Sequence, residues 1–111
     1  MSKSSTIAKA SVKAGPNHLP PVHPGAVLRD ELEERGLSAS ALARVLAVPV
    51  TRITEVINAR RGISADTALR LARHFGGSAR LWLNLQQSYD IKIAEAAIGK
   101  TVLNRIPPAA A

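Results

Sequence analysis

Arginine is concentrated in one third of this sequence, between residues 44 and 80. That stretch holds seven arginines against two acids, Glu55 and Asp66, so its net charge is +5, while residues 24–37 carry −2. A guanidinium offers a planar fork of N–H donors that matches phosphate groups and the edges of bases. A local excess of this kind indicates either attraction to a polyanion such as nucleic acid or an ordinary solvated face. The seven are Arg44, Arg52, Arg60, Arg61, Arg70, Arg73 and Arg80.

No group of side chains in the sequence has the spacing of a catalytic or metal site. The absence of cysteine excludes disulfides, thiolate metal ligands and cysteine nucleophiles. His18 and His23 lie in or beside the N-terminal segment, and His74 is a single imidazole near a helix end, where histidine more often stabilises the helix dipole. The neighbouring carboxylates at positions 30–31 and 33–34 are expected on a solvated helix face. The sequence therefore predicts a protein that is not an enzyme and has neither cofactor nor metal.

The chain is long enough for one domain with a modest core, since it has 111 residues. Residues 1–22 mix lysines with Ser, Ala, Gly and Pro, which predicts a flexible basic tail. The longest apolar stretch of this tail is too short for a signal peptide or a membrane span. We expect a helical domain at residues 23–98, a C-terminal tail at residues 99–111, no membrane association and a cytoplasmic location.

Caps, breakers and apolar spacing predict three helices in the first half of the domain. Pro24 suits the first turn of a helix that Gly36 ends, because an N–H at that turn would have no partner in the helix. A second helix is capped by Ser38 and ends near Ala47. Pro49 lies where a third helix begins.

Two more serine caps predict the fourth and fifth helices. Ser64 caps the fourth, which ends at the glycine pair of residues 76–77, and Ser78 caps a fifth that runs to about Ile98. No segment alternates clearly enough to be a strand, so the sequence predicts an all-α fold. The apolar side of the fourth helix is predicted to be Leu69, Leu71, Ala72 and Phe75.

The second and third helices are joined by a short link at residues 46–49, and the third is apolar on one side only. Ile53, Val56 and Ile57 are spaced to face inward, which leaves a polar face outward. This pattern indicates the helix-turn-helix geometry, in which a second helix enters the major groove of DNA. The outward residues are Val50, Thr51, Arg52, Thr54, Glu55 and Asn58.

These outward side chains have a chemistry suited to DNA. Short side chains let the helix backbone come close to the duplex, and Val50 can touch a thymine methyl group. Arg52 and Asn58 can hydrogen-bond to bases or phosphates. Glu55 can accept from a cytosine amino group or pair with Arg52 or Arg61 on the surface, and pairing is favoured.

Phosphate contacts are expected from residues that flank the third helix. Arg60 and Arg61, together with Arg44 and hydroxyls such as that of Ser40, would set the register on the duplex without reading sequence. The predicted DNA-contacting set is Ser38, Ser40, Pro49, Val50, Thr51, Arg52, Thr54, Glu55, Asn58, Arg60 and Arg61.

Two other classes of protein fit part of this pattern. A helical bundle that binds only protein can contain two amphipathic helices and a turn. An RNA-binding module usually needs exposed aromatic side chains for stacking, and this chain has one Phe, one Trp and one Tyr. DNA binding is therefore the favoured interpretation.

Trp82, Leu85 and Tyr89 are spaced as a packing seam along the predicted fifth helix. Such a stripe usually belongs to the core, yet a five-helix domain of this size cannot bury every apolar side chain. Part of the helix is therefore predicted to pack against a twofold-related copy. The sequence predicts a homodimer with these three residues at its interface.

Residues 23–95 resemble the HigA family of antitoxins, within the wider Xre, lambda-repressor-like group of helix-turn-helix proteins. The resemblance rests on His23-Pro24-Gly25, on RRGISADTALRLA, and on WLNLQ followed by Tyr89-Asp90. It implies a five-helix lambda-repressor-like domain, a homodimer, and repression of a toxin–antitoxin operon through a palindromic operator. It also implies a partner, a HigB-type toxin that is a small ribosome-dependent mRNA endonuclease; the alternative is a solitary transcriptional regulator without a toxin.

Two positions depart from the pattern of the wider group. The glycine usual in the link is Ala47 here, and the serine often found at the start of the recognition helix is Pro49. These departures predict a tighter turn and altered recognition. The resemblance places the recognition helix at residues 49–58, with Val50, Thr51, Arg52, Thr54 and Glu55 at its reading positions.

Overall fold

A computed structural model describes residues 19–110 of the chain, and within them it contains helices and no strand. The all-α class and the predicted order of five helices are confirmed. Most of the predicted tail at residues 1–22, with its three lysines and His18, lies outside the described residues. The helices are α1 (Pro24–Arg35), α2 (Ala39–Leu46), α3 (Val50–Ile57), α4 (Ala65–Phe75) and α5 (Ala79–Asn104).

Three helices begin at the serine caps that the sequence predicts. The hydroxyl oxygens of Ser38, Ser64 and Ser78 each accept a hydrogen bond from the backbone N–H three residues further on, at 3.1, 3.3 and 3.2 Å. Each bond gives a partner to one of the N–H groups that a helix start leaves without one. These caps therefore set the first residues of α2, α4 and α5.

Helix α1 begins at a histidine instead. The Nδ1 atom of His23 accepts from the backbone N–H of Gly25 at 2.9 Å, and Pro24 occupies the first turn. The imidazole also lies edge-on to the ring of Tyr89 on α5, with ring centroids 4.8 Å apart. One side chain thus caps α1 and joins it to α5.

Protonation of His23 should weaken this cap, because Nδ1 would then become a donor. Burial lowers the pKa of His23 from its ordinary value of 6.5, and the nearby Asp90 carboxylate opposes the shift. A lowered pKa means that the unfolded chain binds more protons, so the contribution of His23 to stability is present above pH 6.5 and is lost as the pH falls through the folded-state pKa.

We therefore expect the free energy of unfolding to fall between about pH 7.5 and about pH 5.5, and to fall less in His23→Ser. Serine is a good cap that does not titrate in this range. Urea unfolding across the range measures the effect. The prediction is contradicted if the free energy of unfolding falls equally with pH in both proteins. Loss of the contact with Tyr89 adds only a difference that does not depend on pH.

The core lies where α1 packs against α3 and α5, α2 against α3 and α4, and α4 against α5. Trp82 is its largest fully buried side chain. A tight backbone contact holds α1 against α3, since a β-carbon added at Gly25 would lie 1.9 Å from the carbonyl oxygen of Val56. The buried apolar residues are Val27, Leu28, Leu32, Leu42, Ala43, Leu46, Ile53, Val56, Ile63, Ala68, Leu71, Phe75, Trp82 and Leu85.

Two predictions about burial are wrong. Leu69, expected on the apolar side of α4, is 64% exposed, because α2 and α5 cover the side of α4 that carries Ala68, Leu71 and Phe75. Glu31, expected on a solvated face, is fully buried.

Glu31 is retained in the interior by an ion pair within α1. Its Oε1 accepts from Nε of Arg35 at 2.9 Å, and the Arg35 guanidinium lies 4.4 Å from the ring centroid of Phe75. Its Oε2 is buried without a hydrogen-bond partner. The carboxylate thus holds Arg35, and Arg35 makes the contact with Phe75 of α4.

Helix α5 is interrupted near its predicted end. Gly99 has φ 77° and ψ 157°, outside the helical region, and a further helical segment follows it to Asn104. The predicted end near Ile98 therefore corresponds to a break in the helix. The predicted C-terminal tail at residues 99–111 begins with helical residues.

Candidate nucleic-acid interface

The turn between α2 and α3 has the left-handed C-cap that a glycine usually supplies. Ala47 has φ 59° and ψ 48°, and its N–H donates to the carbonyl of Arg44 at 3.2 Å. Pro49 follows in extended conformation as the N-cap of α3, with no side-chain cap bond. Alanine thus adopts here the left-handed conformation that glycine usually supplies, and the tighter turn stays a prediction.

Replacing Ala47 with glycine should stabilise the protein by up to about 1 kcal/mol, because a left-handed conformation strains a residue with a β-carbon and does not strain glycine. Thermal unfolding measures the change. Ala26→Gly, at an exposed position of α1, is the matched control and should destabilise by about 1 kcal/mol. A loss of stability in both variants would contradict the strain at Ala47.

The outward residues of α3 form a surface that we call the α3 face, consisting of Val50, Thr51, Arg52, Thr54, Glu55 and Asn58. Ile53 and Val56 lie beneath it and are fully buried, so the orientation of the helix is fixed by the core. Val50, Thr51 and Asn58 are exposed, and the other three members are partly buried. The predicted division of α3 into inner and outer sides matches the structure.

Two arginines at the α3 face form ion pairs with acidic side chains. Glu55 accepts from Arg61 at 2.8 Å, which is the surface pairing that the sequence favours. Arg52 donates from Nη1 to Oδ2 of Asp66, at the start of α4, at 2.6 Å. This second pair joins residues 14 positions apart and was not predicted.

Arg70 on α4 links Asp66 to the turn. Its Nε donates to Oδ2 of Asp66 at 2.9 Å, and its Nη1 donates to the carbonyl of Leu46 at 2.7 Å. Hydrogen bonds from Arg70 and Arg52, in that order, lower the pKa of the Asp66 carboxyl below its usual value. The spacing of Asp66 and Arg70, four residues apart on one helix, was the available signal for half of this network.

A polar depression of about 410 Å³ lies beside the network, at the start of α4. Three arginine side chains and the Ser64 cap line it, so it combines positive charge with the N-terminal end of a helix dipole. Its lining residues are Arg52, Arg61, Gly62, Ser64, Asp66, Thr67 and Arg70.

The loop after α3 is held in place by α5. Oε1 of Gln86 accepts from the backbone N–H of Ile63 at 2.7 Å, and Nε2 of Gln86 donates to Asp90 at 2.9 Å. The loop carries Arg60 and Arg61, both exposed. Gln86 thus positions the predicted phosphate contacts, a role that sequence reasoning missed although the residue lies in the WLNLQ motif.

The other predicted contact residues lie along α2. Ser38 uses its hydroxyl as the α2 cap, and Ser40 and Arg44 are exposed on that helix. Their side chains and the α3 face belong to the two consecutive helices that the turn connects.

Comparisons with known proteins agree with this geometry. A helix-turn-helix family model matches residues 28–82. Virulence-associated protein I of Dichelobacter nodosus is 56% identical over 86 residues, which cover 77% of this chain and 80% of that protein. A solved HigA-family addiction module antidote protein from Coxiella burnetii is 46% identical with a TM-score of 0.77, covering 81% of this chain and 99% of that one. The chain belongs to the HigA family of helix-turn-helix proteins. The antitoxin HigA of Pseudomonas aeruginosa, solved with the higBA promoter, is also 46% identical with a TM-score of 0.77. The match covers 81% of this chain and 99% of that one.

The predicted dimer residues of this HigA-family chain are buried in its own core. Trp82 is 0% and Leu85 5% exposed, so neither offers appreciable surface to a second copy. Tyr89 is partly buried beside His23. Assigning Trp82 and Leu85 to a dimer interface was therefore wrong, because α1 and α4 cover that part of α5.

Exposed apolar residues instead occur further along α5. Ile91 is 57% exposed, and Ile98 lies two helical turns later on the same side of the helix. The large exposed apolar residues from this point to residue 110 are Ile91, Ile93, Ile98, Val102, Leu103 and Ile106. None of the helices within residues 19–110 has both the length and the apolar character that crossing a membrane requires.

Proposed function

We propose that this HigA-family chain is a sequence-specific DNA-binding antitoxin that represses its own operon and neutralises a HigB-type toxin. The observation that carries the DNA-binding part is the α3 face, a short polar surface on a helix whose opposite side is anchored in the core. The promoter complex of the Pseudomonas aeruginosa relative supports it.

The α3 face suits the major groove in shape and in chemistry. Val50 and Thr51 are small and exposed at the N-terminal end of the helix, the end that approaches base edges in helix-turn-helix complexes. Val50 offers a methyl contact to thymine, Thr51 a hydroxyl, and Asn58 an amide that can donate and accept. Direct readout of a few base pairs follows from this set.

Phosphate groups are held beside the groove by the arginines of the loop after α3. Arg60 and Arg61 are exposed, and Gln86 holds that loop through the N–H of Ile63. Arg61 reaches a phosphate by exchanging its surface pair with Glu55, which is a small change because exposed ion pairs contribute little. These contacts fix the register of α3 on the duplex.

A homodimer would present two α3 faces to a palindromic operator. Helix α5 extends beyond the core with exposed Ile91 and Ile98 on one side, and a twofold axis places the same apolar surface of two copies together. We propose this part of α5 as the dimer contact in place of Trp82 and Leu85. Analytical ultracentrifugation at micromolar concentration should show twice the mass of the 11.7 kDa chain, and a monomer alone would contradict this assembly.

Titration of labelled DNA tests the proposed DNA binding. The chain should bind a duplex from immediately upstream of its own gene more tightly than a shuffled duplex of equal length and composition. Its affinity should fall steeply as salt rises, because several arginines would release counterions from phosphates. Equal affinity for the two duplexes at physiological salt would refute specific repression.

Co-expression tests the antitoxin part of the proposal. The product of the neighbouring reading frame should copurify with this chain, and the complex should lack the mRNA cleavage that the free partner shows. If the product of the neighbouring frame does not bind this chain and does not cleave mRNA, the chain is a solitary regulator.

A further inference from the structure

Arg52 is tethered by a network that starts at the α3 face and ends at the turn. Its Nη1 donates to Oδ2 of Asp66 at 2.6 Å, and the same oxygen accepts from Nε of Arg70 at 2.9 Å. Nη1 of Arg70 donates to the carbonyls of Leu46 and Ala47 at 2.7 and 3.4 Å. One carboxylate therefore couples a side chain of α3 to the backbone that sets the angle between α2 and α3.

The tether does not occupy the whole Arg52 guanidinium, and 28% of that side chain is exposed. A guanidinium has five N–H donors, and Asp66 uses one of them. Bidentate contact with a guanine requires two more. A long arginine side chain loses much rotamer freedom when it is ordered, so a contact that orders it before DNA arrives reduces that loss on binding.

An acid at this position is unfavourable for DNA affinity in general. Asp66 is exposed, carries negative charge, and lies in a depression lined by arginines that face a polyanion in the proposed complex. If the residue at this position did nothing but contact solvent, an uncharged side chain would favour DNA affinity more than a carboxylate does. The carboxylate accepts hydrogen bonds from two arginines, and orienting these side chains is a role that an uncharged apolar residue could not fill.

Building on the proposed DNA binding, we propose that Asp66 is a positioning residue that determines operator preference by orienting Arg52. Asp66 itself contacts no base. It holds one edge of the Arg52 guanidinium, and through Arg70 it keeps that edge in a fixed relation to the turn.

The Asp66→Ala variant tests this role through the ratio of affinities for the upstream duplex and the shuffled duplex. We expect that ratio to fall roughly ten-fold, within the range that one well-formed bidentate base contact provides. Affinity for the shuffled duplex should be unchanged or slightly higher, because a negative charge has been removed. Thermal unfolding of the variant establishes that the protein is folded at the assay temperature.

Glu33→Ala is the control for charge, since it removes an exposed acid of α1 outside the proposed DNA-binding surface. It should change both affinities by a similar factor and leave the ratio within about two-fold of wild type. In an Arg52→Ala background, Asp66→Ala should have no further effect on the ratio, because the side chain that it orients is absent.

The outcomes separate this inference from the proposed function. If the wild-type chain prefers the upstream duplex and Asp66→Ala preserves the preference, the role of Asp66 is refuted while specific DNA binding stands. The positioning role of Asp66 is also refuted if Asp66→Ala lowers the ratio of affinities by the same factor in the wild-type and in the Arg52→Ala background. A wild-type chain without any preference refutes the proposed function itself.

Discussion

Replacing Gly25 with alanine should lower the melting temperature by about 10 to 20 °C, the largest loss of stability expected from adding a methyl group to any glycine within residues 19–110. The new β-carbon would lie 1.9 Å from the carbonyl oxygen of Val56 and 2.9 Å from its carbonyl carbon. Both atoms belong to the backbone of α3, so no side-chain rotation relieves the clash. Helix α1 must move away from α3, at a cost of about 3 kcal/mol.

Gly36 supplies the matched control for this prediction. It has φ 64°, and a β-carbon there would have no atom within 4 Å. Gly36→Ala should therefore cost only the backbone strain, about 1 kcal/mol. Melting curves recorded by circular dichroism compare the two variants. Equal losses in Gly25→Ala and Gly36→Ala would show that α1 and α3 are not in close backbone contact.

Replacing Thr51 with glutamate should abolish specific DNA binding while leaving the fold intact. Thr51 is exposed at the second position of α3, where an acid is favourable for the helix dipole. Against DNA the same carboxylate would face phosphates and base acceptors, and such like-charge contacts cost several kcal/mol. We expect affinity for the upstream duplex to fall by roughly a hundred-fold or more.

Gln87→Glu provides the control for charge in this experiment. It makes the same change in net charge at an exposed position of α5, so it should lower affinity only slightly through the general field of the protein. Anisotropy titrations and melting curves of both variants are required. If Thr51→Glu binds as Gln87→Glu does, the α3 face does not enter the groove.

Local signals in the sequence predict most of the helix boundaries. Ser38, Ser64 and Ser78 cap helices because a hydroxyl reaches the N–H three residues on, whatever the rest of the chain does. Gly36 ends α1 for a similarly local reason, its left-handed backbone. The inner and outer sides of α3 follow from helical periodicity alone.

The errors concern residues whose environment depends on distant parts of the chain. Leu69 has the spacing of a core residue on α4, yet no other helix covers it. Glu31 is a charged residue of the kind usually found at the surface, yet it is fully buried and paired with Arg35, whose guanidinium lies over the ring of Phe75 on α4. Trp82 fits a dimer seam and a core equally well by spacing, and only the packing of α1 and α4 on α5 decides between them.

The family motifs have physical explanations that spacing does not reveal. His23-Pro24-Gly25 combines a cap, a first-turn proline and a close contact with α3. In WLNLQ, Trp82 fills the core, and Gln86 holds the loop that carries Arg60. These pairings join α1 to α3 and α5 to the loop, so they become visible only in three dimensions.

Hydroxyl-radical footprinting of the upstream DNA most directly tests whether two α3 faces read an operator. We expect two protected half-sites related by a palindrome, with centres roughly 10 base pairs apart or a multiple of that spacing, and we expect both to be lost in Thr51→Glu. Uniform protection along the duplex, or a footprint that survives Thr51→Glu unchanged, would contradict it.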